Sequence, residues 1–251
     1  MSEAGNRESM IAGVRRAVSA WRANGPASAA GPAPAPPDVP PQALVDRFVG
    51  RAEAAGAFVS IASGFAGALQ RIADILFELD ARQVIVSDDG WEPPWDVAKL
   101  SDVIEECTIR PTSSLHDRSA ATIAKFAYVG VTAVAYGIAD TGTLVVCSGP
   151  ASGRIESLLP PVHIALLPSS RVVAGVPDVL AALERDRQFD RSSAVTFITG
   201  PSRTADIELT LTIGVHGPKQ LYVILVNDVA ASGALQEDAG HLHAERPGNG
   251  G

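Results

Sequence analysis

The sequence predicts an α/β fold in which helices cover a mostly parallel β-sheet. Two observations support this prediction. Segments with helical hydrophobic periodicity alternate with short apolar runs, as in strand–helix–strand units. Several of these runs are apolar on both faces, which favours buried parallel strands over a half-solvated antiparallel sheet. A chain of 251 residues with 46% apolar residues can bury one large core and still carry appendages.

The chain divides into four parts. An N-terminal arm, residues 1–22, is predicted to be an amphipathic helix, and residues 23–41 form a Pro- and Ala-rich linker that cannot build a core. The α/β domain is expected over residues 42–227. Residues 228–251 read as a disordered tail. The apolar stripe of the arm consists of Met10, Ile11, Val14, Val18 and Trp21. We interpret the arm as a docking element, either within this chain or onto another subunit.

Within the domain, periodicity and turn residues give the positions of the elements in order. Helices are predicted at residues 43–55, 66–79 and 177–186. Strands are predicted at residues 57–61, 83–87, 133–138, 142–147, 162–167, 194–198 and 221–226.

Charge and composition exclude several classes of function. The formal net charge of -8 argues against nucleic-acid binding, because that requires clustered Lys and Arg. The longest apolar run, residues 128–139, is shorter than the ~20 residues that a membrane-spanning helix needs. The polar N-terminus shows no secretory signal, so we expect a cytoplasmic protein. Cys107 and Cys147 are also too few for an iron–sulfur cluster, which normally takes four thiolates.

The densest polar segment is Ile198-Thr-Gly-Pro-Ser-Arg-Thr-Ala-Asp-Ile-Glu208, followed by Gly214-Val-His-Gly-Pro218. It resembles the mouth of an α/β sheet, where strand ends and helix starts converge on ligands. If Ser202 caps a helix, Arg203 pairs either with Asp206 or with an anionic ligand at the helix N-terminus. The alternation of apolar and polar residues over 207–215 favours a strand instead, and the sequence leaves this choice open.

Two further segments carry candidate side chains. Asp140-Thr-Gly-Thr143 lies between apolar runs, which is typical of a hairpin turn, although Asp140 and the threonines can also present polar groups at a sheet edge. Arg154 follows a turn and is able to hold a carboxylate, with an ion pair to Glu156 as the simpler alternative. His163 follows two prolines and is either a core residue or a ligand contact.

Common nucleotide-binding, hydrolase and zinc-protease motifs are missing from the sequence. There is no G-x-x-x-x-G-K-[ST], G-x-G-x-x-G, G-x-S-x-G or H-E-x-x-H. His241 and His243 lie beside acidic residues in the predicted tail, where solvation is the simpler interpretation, so no metal site is assigned.

Taken in order, four segments resemble the lactate utilization protein C family, whose module is the LUD domain. They are residues 137–144, 157–163, 199–208 and 214–218, and the resemblance covers roughly residues 42–227 together with a similar N-terminal helix. It implies a fold like the NagB/RpiA/CoA-transferase group. It also implies a role in bacterial oxidation of L-lactate to pyruvate, alongside two iron–sulfur partner proteins. Members usually carry Glu where this chain has Asp140, which shortens that side chain by one methylene.

The resemblance therefore implies a non-redox subunit that binds no cofactor itself, with iron–sulfur clusters on the partner subunits and a small carboxylate as a possible ligand. The alternative functions are a stand-alone acyl- or CoA-transferring enzyme, with Asp140 or Glu156 as the acyl acceptor, and a small-molecule-binding regulator. Whether the chain is itself an enzyme is left open. The candidate ligand-binding residues are Asp140, Thr141, Gly142, Thr143, Arg154, His163, Gly200, Pro201, Ser202, Arg203, Thr204, Asp206, Glu208 and His216.

Overall fold

A computed structural model describes a large part of the predicted domain. The described residues are 39–87, 100, 107–115, 123, 127–149, 154–205, 211–213 and 217–227, with the backbone alone for 203–205 and 211–213. The N-terminal arm, the linker up to residue 38 and the tail lie outside these ranges, so their boundaries stay predictions.

The described part alternates strands and helices as predicted. The helices are α1 (Pro41–Ala54), α2 (Gly64–Glu78), α3 (Ile155–Leu158), α4 (Val176–Arg185) and α5 (Gln188–Arg191). The strands are β1 (Phe58–Ser63), β2 (Gln83–Val86), β3 (Thr108–Pro111), β4 (Val129–Ala133), β5 (Tyr136–Ile138), β6 (Thr143–Ser148), β7 (Val162–Pro168), β8 (Val172–Val173), β9 (Ala194–Ile198), β10 (Arg203–Ala205), β11 (Leu211–Ile213) and β12 (Gln220–Asn227). Short 3₁₀ turns occupy Thr112–Ser114 and Ser169–Arg171.

The larger sheet is parallel throughout and has six strands in the order β1-β12-β7-β4-β2-β3. A second sheet has the order β8-β5-β6-β9, with antiparallel pairing of β5 to β6 and of β6 to β9. The strands β10 and β11 pair with each other as a separate antiparallel hairpin. The fold class predicted from the sequence is therefore confirmed.

The two faces of the parallel sheet pack against different layers. On one face, α2 contributes Ile72, Ile75 and Leu76, which lie three and four residues apart as an amphipathic helix requires, to a core with β2, β4 and β7. On the other face, Phe48 of α1 and Leu144 of β6 pack with Leu167 of β7. This second face lies between the two sheets.

The structure divides one predicted strand and decides one choice that the sequence left open. Residues 133–138 were expected to form one strand, but β4 ends at Ala133 and β5 begins at Tyr136 in the other sheet. An apolar run does not show where a chain changes its pairing partner, so the two strands read as one. After Ser202, where the sequence left helix and strand open, Arg203–Ala205 form a strand paired with Leu211–Ile213. The alternation of apolar and polar residues was the correct signal there.

A network of charged residues ties α4 to the small sheet. The buried Tyr136 donates a hydrogen bond to the Asp186 carboxylate. Arg171 Nη1 donates to Asp186 Oδ2 over 2.8 Å and to the Tyr136 oxygen over 2.9 Å. The hydrogen bond from Tyr136, followed by those from Arg171 and Arg185, holds the pKa of Asp186 below its usual value, against the opposing effect of burial.

Replacing Asp186 with asparagine is expected to lower the free energy of unfolding at pH 7 by about 1–3 kcal/mol, because it weakens charge-assisted hydrogen bonds at a partly buried site. A carboxylate with a lowered folded pKa stabilises the protein above its unfolded pKa and loses that effect as the pH falls through the folded pKa. The free energies of unfolding of wild type and variant should therefore converge in acid. Urea denaturation between pH 7 and pH 2.5 measures both.

Asp190→Asn is the matched control. Its carboxylate pairs with Arg187 across 3.2 Å, and both side chains are largely exposed. Exposed pairs of this kind contribute roughly 0–1 kcal/mol. An Asp186 variant no less stable than this control would contradict a stabilising role for the network.

Candidate functional site

Three of the predicted segments meet at the amino end of the parallel sheet. The Ser202 amide donates a hydrogen bond to the Pro218 carbonyl over 2.9 Å, and the Lys219 amide donates to the Pro161 carbonyl over 2.7 Å. Pro161 directly precedes β7, and Lys219 directly precedes β12. The turn after β9 is therefore held beside the starts of two central strands. Ligands of α/β sheets usually bind at the opposite, carboxyl end.

The turn that joins β5 to β6 also reaches this group. Asp140 and Thr141 lie in the tip of a hairpin, which confirms the hairpin interpretation, and Gly142 has a φ of +66°. Thr143 Oγ1 lies 2.7 Å from Thr141 Oγ1 and 2.7 Å from Thr199 Oγ1. These three hydroxyl groups form a hydrogen-bonded chain from the hairpin to the segment after β9. We call residues 140–143, 199–202 and 217–218 the turn cluster.

The end of α1 packs against two glycines of the turn cluster. A Cβ atom at Gly142 would overlap the Ala52 amide nitrogen, and one at Gly200 would overlap the Ala55 carbonyl oxygen. Gly200 also has a φ of +81°, so both positions require glycine. The carbonyl end of a helix carries partial negative charge. The cluster therefore adjoins the end of α1 that disfavours an anion, which is the reverse of the helix N-terminus that the sequence suggested.

Asp140 lies on the surface of the turn cluster and pairs with α1. Its Oδ1 accepts a hydrogen bond from Arg47 Nη1 over 2.9 Å, and both side chains are about half exposed. An exposed pair of this kind contributes little to stability. Asp140 is therefore accessible to a ligand or a partner, although Arg47 already neutralises it.

Other predicted site residues fall into three groups. Arg203 and Thr204 lie on β10, opposite Ile213 and Thr212, so Arg203 does not stand at a helix N-terminus and Ser202 caps no helix. Pro201 and Ser202 are partly buried in the turn after β9. The remaining residues, Asp206, Glu208 and His216, lie outside the described part of the chain.

Arg154 and Glu156 point to different environments around α3. Arg154 is exposed immediately before the helix, whereas Glu156 is completely buried. A surface ion pair between them, the simpler alternative considered above, therefore does not describe Glu156. The α3 backbone lies directly on β4 at Gly130, where a Cβ atom would overlap the Glu156 carbonyl oxygen.

His163 is a core residue with one satisfied nitrogen. It is the second residue of β7 and is completely buried. Its Nε2 lies 2.8 Å from Thr132 Oγ1 on β4, whereas its Nδ1 has no hydrogen-bond partner among the described residues. Burial lowers the pKa of His163 to about 4, so the imidazole is neutral at pH 7.

Sequence reasoning missed several residues that take part in these contacts. Arg47 and Thr132 were not selected, although they contact Asp140 and His163. Thr199 and Ser148 were also overlooked. A hydroxyl group inside an apolar run was the available signal for Thr132 and Ser148, since such a group needs a partner when it is buried. Nothing in the sequence pairs Arg47 with a residue 93 positions away.

The described residues provide no group of three or more His, Cys, Asp or Glu side chains arranged for a metal ion. Within the same ranges, none of the helices combines the length and the hydrophobicity needed to cross a bilayer.

Comparisons with known proteins show the family of the chain. The family model described as the LUD domain matches residues 45–226. A lactate utilization protein C from Halalkalibacterium halodurans is 34% identical over 161 residues, which are 63% of this chain and 69% of that protein. One of the same name from Bacillus subtilis strain 168 is 41% identical over 110 residues, 42% of this chain and 45% of that protein. Three further proteins of the same name are matched as well, and the chain spans only about half of their length.

A solved structure supports the fold alone. The crystal structure of a DUF162 family protein from Deinococcus radiodurans superposes with a TM-score of 0.54 at 24% sequence identity. The match covers 75% of this chain and 99% of that one.

Proposed function

The chain belongs to the LUD domain family, and from that premise we propose that it is a non-redox subunit of an iron–sulfur-dependent system that oxidises L-lactate to pyruvate. The observation that carries the proposal is the extended similarity to proteins named lactate utilization protein C. The contacts that join these segments in the turn cluster also support the proposal. A shared site would explain why segments that are far apart in the sequence occur together in the family resemblance. Its proposed place of action is the cytoplasm.

The thiol chemistry of the chain supports a non-redox role. Cys107 lies next to β3 in the parallel sheet and donates to the Ala81 carbonyl, whereas Cys147 lies on β6 in the small sheet. Burial raises the pKa of the Cys147 thiol, which disfavours the thiolate that binds metals. Two separated thiols cannot supply the four ligands that a cluster normally takes. In this proposal the clusters belong to partner subunits.

We further propose a small carboxylate as the ligand or as a partner's contact group. Its positive counter-charge would come from Arg154, which is exposed immediately before α3, because the carbonyl end of α1 beside Gly200 disfavours an anion there. The acyl-transfer alternative has less support, because Asp140 is paired with Arg47 and Glu156 is completely buried.

Deleting the gene in its own host is expected to abolish growth on L-lactate as sole carbon source and to leave growth on glucose unchanged. An affinity-tagged copy should restore growth and co-purify with the two iron–sulfur subunits. Normal growth of the deletion strain on lactate, together with purification of the tagged chain alone, would refute the proposal.

A matched pair of variants sharpens the same experiment. Asp140→Asn and Arg47→Gln remove the same exposed ion pair, and each should change stability by less than about 1 kcal/mol. If Asp140 contacts a ligand or a partner, its variant slows growth on lactate while the Arg47 variant grows normally. Equal growth of the two strains would assign Asp140 a structural role only.

A further inference from the structure

The strand β9 lies at an open edge of the small sheet. Among the described residues, the order β8-β5-β6-β9 gives it a single strand partner, β6. All five residues of β9 are at least partly exposed, whereas five of the six residues of β6 are buried. Native proteins usually protect such an edge with a charge, a proline or a bulge, because its backbone groups can pair with another strand. The segment Ala194-Val-Thr-Phe-Ile198 is uncharged, lacks proline and pairs with β6 without a break.

The hydrogen bonds of β6 show which backbone groups of β9 point away from the sheet. Neighbouring residues of an antiparallel strand direct their amide and carbonyl groups to opposite sides. The Val145 carbonyl accepts a hydrogen bond from the Ala135 amide, so Val145 directs its groups towards β5. Phe197 lies opposite Val145 and therefore directs its own groups out of the open edge. Val195 does the same, whereas Thr196 between them faces β6.

The sequence of β9 is complementary to itself in an antiparallel pair. Two identical strands related by a two-fold axis run antiparallel, and an axis at Thr196 places this residue opposite its own copy. The same axis places Val195 opposite Phe197 of the second copy, so that their outward backbone groups meet as a hydrogen-bonded pair. Pairs of threonines, and pairs of an aromatic with a β-branched residue, are favourable across antiparallel strands. Because β9 has no charged residue, no like charges meet across the axis within the strand pair.

An aromatic side chain beside this edge also lacks full cover. Val195 packs against the core that α4 forms with the small sheet. Phe197 lies on the same side of the strand, two residues further on, and is 45% exposed. Aromatic residues are enriched in the buried centre of protein interfaces. A second copy paired along β9 would therefore also cover Phe197.

We propose that two copies of this chain pair through β9, antiparallel and about a two-fold axis at Thr196, so that two four-stranded sheets join into one. The strand supplies both the matching side chains and the matching backbone groups for its own copy. The larger sheet also has an uncharged edge strand, β1, but a two-fold axis there would place an antiparallel pair on a sheet that is parallel throughout. At β9 it continues the antiparallel pairing of β6 with β9. This pairing is independent of the proposed role in lactate oxidation.

A lysine at each edge tests which strand pairs. Phe197→Lys places a charge on β9, as natural edge strands do to prevent pairing. Ile61→Lys is the matched control, because Ile61 is 62% exposed on β1. In sedimentation equilibrium of the full-length chain, we expect the wild type and Ile61→Lys to approach twice the mass of one chain as the concentration rises. Phe197→Lys should weaken dimerisation at least about tenfold, since it also removes the aromatic contact.

Single cysteines test the register of the pair. Both native cysteines, Cys107 and Cys147, are first replaced by alanine. Thr196→Cys lies on the proposed axis in a non-hydrogen-bonded pair, where the Cα atoms are about 4.5 Å apart and a disulfide can form. Phe197→Cys is the control, because its own copy lies two positions away along the second strand, beyond the reach of about 7 Å. Under mild oxidation the Thr196 variant should form a disulfide-linked dimer, and the Phe197 variant should remain largely unlinked.

Three results would overturn the proposal. They are a monomer at every concentration, a dimer that Ile61→Lys weakens as much as Phe197→Lys does, and equal cross-linking of the two cysteine variants. A foreign strand as the true occupant of this edge would give the first of these results. Circular dichroism shows whether each variant is folded, and the cysteine variants test the pairing without the added charge.

Discussion

Replacing Gly142 with alanine is expected to destabilise the protein by at least about 3 kcal/mol. Two separate effects add at this position. The φ of +66° is unfavourable for any residue with a Cβ atom, and that atom would overlap the Ala52 amide and lie 2.5 Å from the Arg51 carbonyl carbon. Because these neighbours are helix backbone, they cannot rotate away. Either α1 moves off the hairpin or the hairpin changes its conformation.

The control lies on the same helix. Gly50 has no atom within 4 Å of the position that its Cβ would occupy. Gly50→Ala should therefore raise stability by about 0.5–1 kcal/mol, since alanine has the higher helix propensity. The free energy of unfolding in guanidinium chloride measures both variants. A Gly142→Ala protein that unfolds at the wild-type midpoint would show that α1 does not pack on the hairpin as described.

Acid is expected to destabilise the wild type through His163, by up to about 3 kcal/mol. The pKa of His163 is about 4 in the folded protein and about 6.5 in the unfolded chain, because burial disfavours the charged imidazolium. The unfolded state therefore binds a proton more readily than the folded state. The neutral imidazole makes its full contribution to the free energy of unfolding above pH 6.5. This contribution is lost progressively as the pH falls from 6.5 to 4.

His163→Gln removes this titration and keeps a polar side chain beside Thr132. Its unfolding free energy should fall less steeply than that of the wild type between pH 6.5 and pH 4, with parallel curves above pH 7. The buried Glu156 of α3 is present in both proteins, and so is the uncharged Ser148 of β6, so the difference isolates the imidazole. A wild-type minus variant difference that stays constant from pH 7.5 to pH 4 would contradict a buried neutral histidine.

The local sequence pattern was sufficient to predict the bounds of helices and strands that are regular over their whole length. The strand at 194–198 was predicted with the observed bounds, and the helix at 177–186 was shifted by one residue. In both, hydrophobic periodicity is a property of the segment itself. The strand β3 escaped prediction because Thr108–Pro111 has little apolar pattern and lies at a sheet edge.

For the candidate site, the sequence located the polar segments but not their surroundings. It correctly interpreted Asp140 to Thr143 as a hairpin turn, since turn residues act over a few positions. It left open whether Arg203 stands at a helix N-terminus or on a strand, and the strand pairing with Ile213 excludes the helix. It also gave no sign that Gly200 packs on the carbonyl end of α1, about 145 residues earlier in the chain.

The α/β class, the order of most elements and the four segments that carry the family resemblance can be recognised in the amino-acid sequence alone, because they depend on periodicity and on residue type over short distances. Three features emerge only from the folded chain: Asp140 pairs with Arg47, the turn cluster adjoins the negative end of α1, and His163 is enclosed between two sheets with no partner for Nδ1 among the described residues. Charge, burial and hydrogen bonding are set by neighbours that packing brings from distant parts of the chain, and a local pattern contains no information about those neighbours.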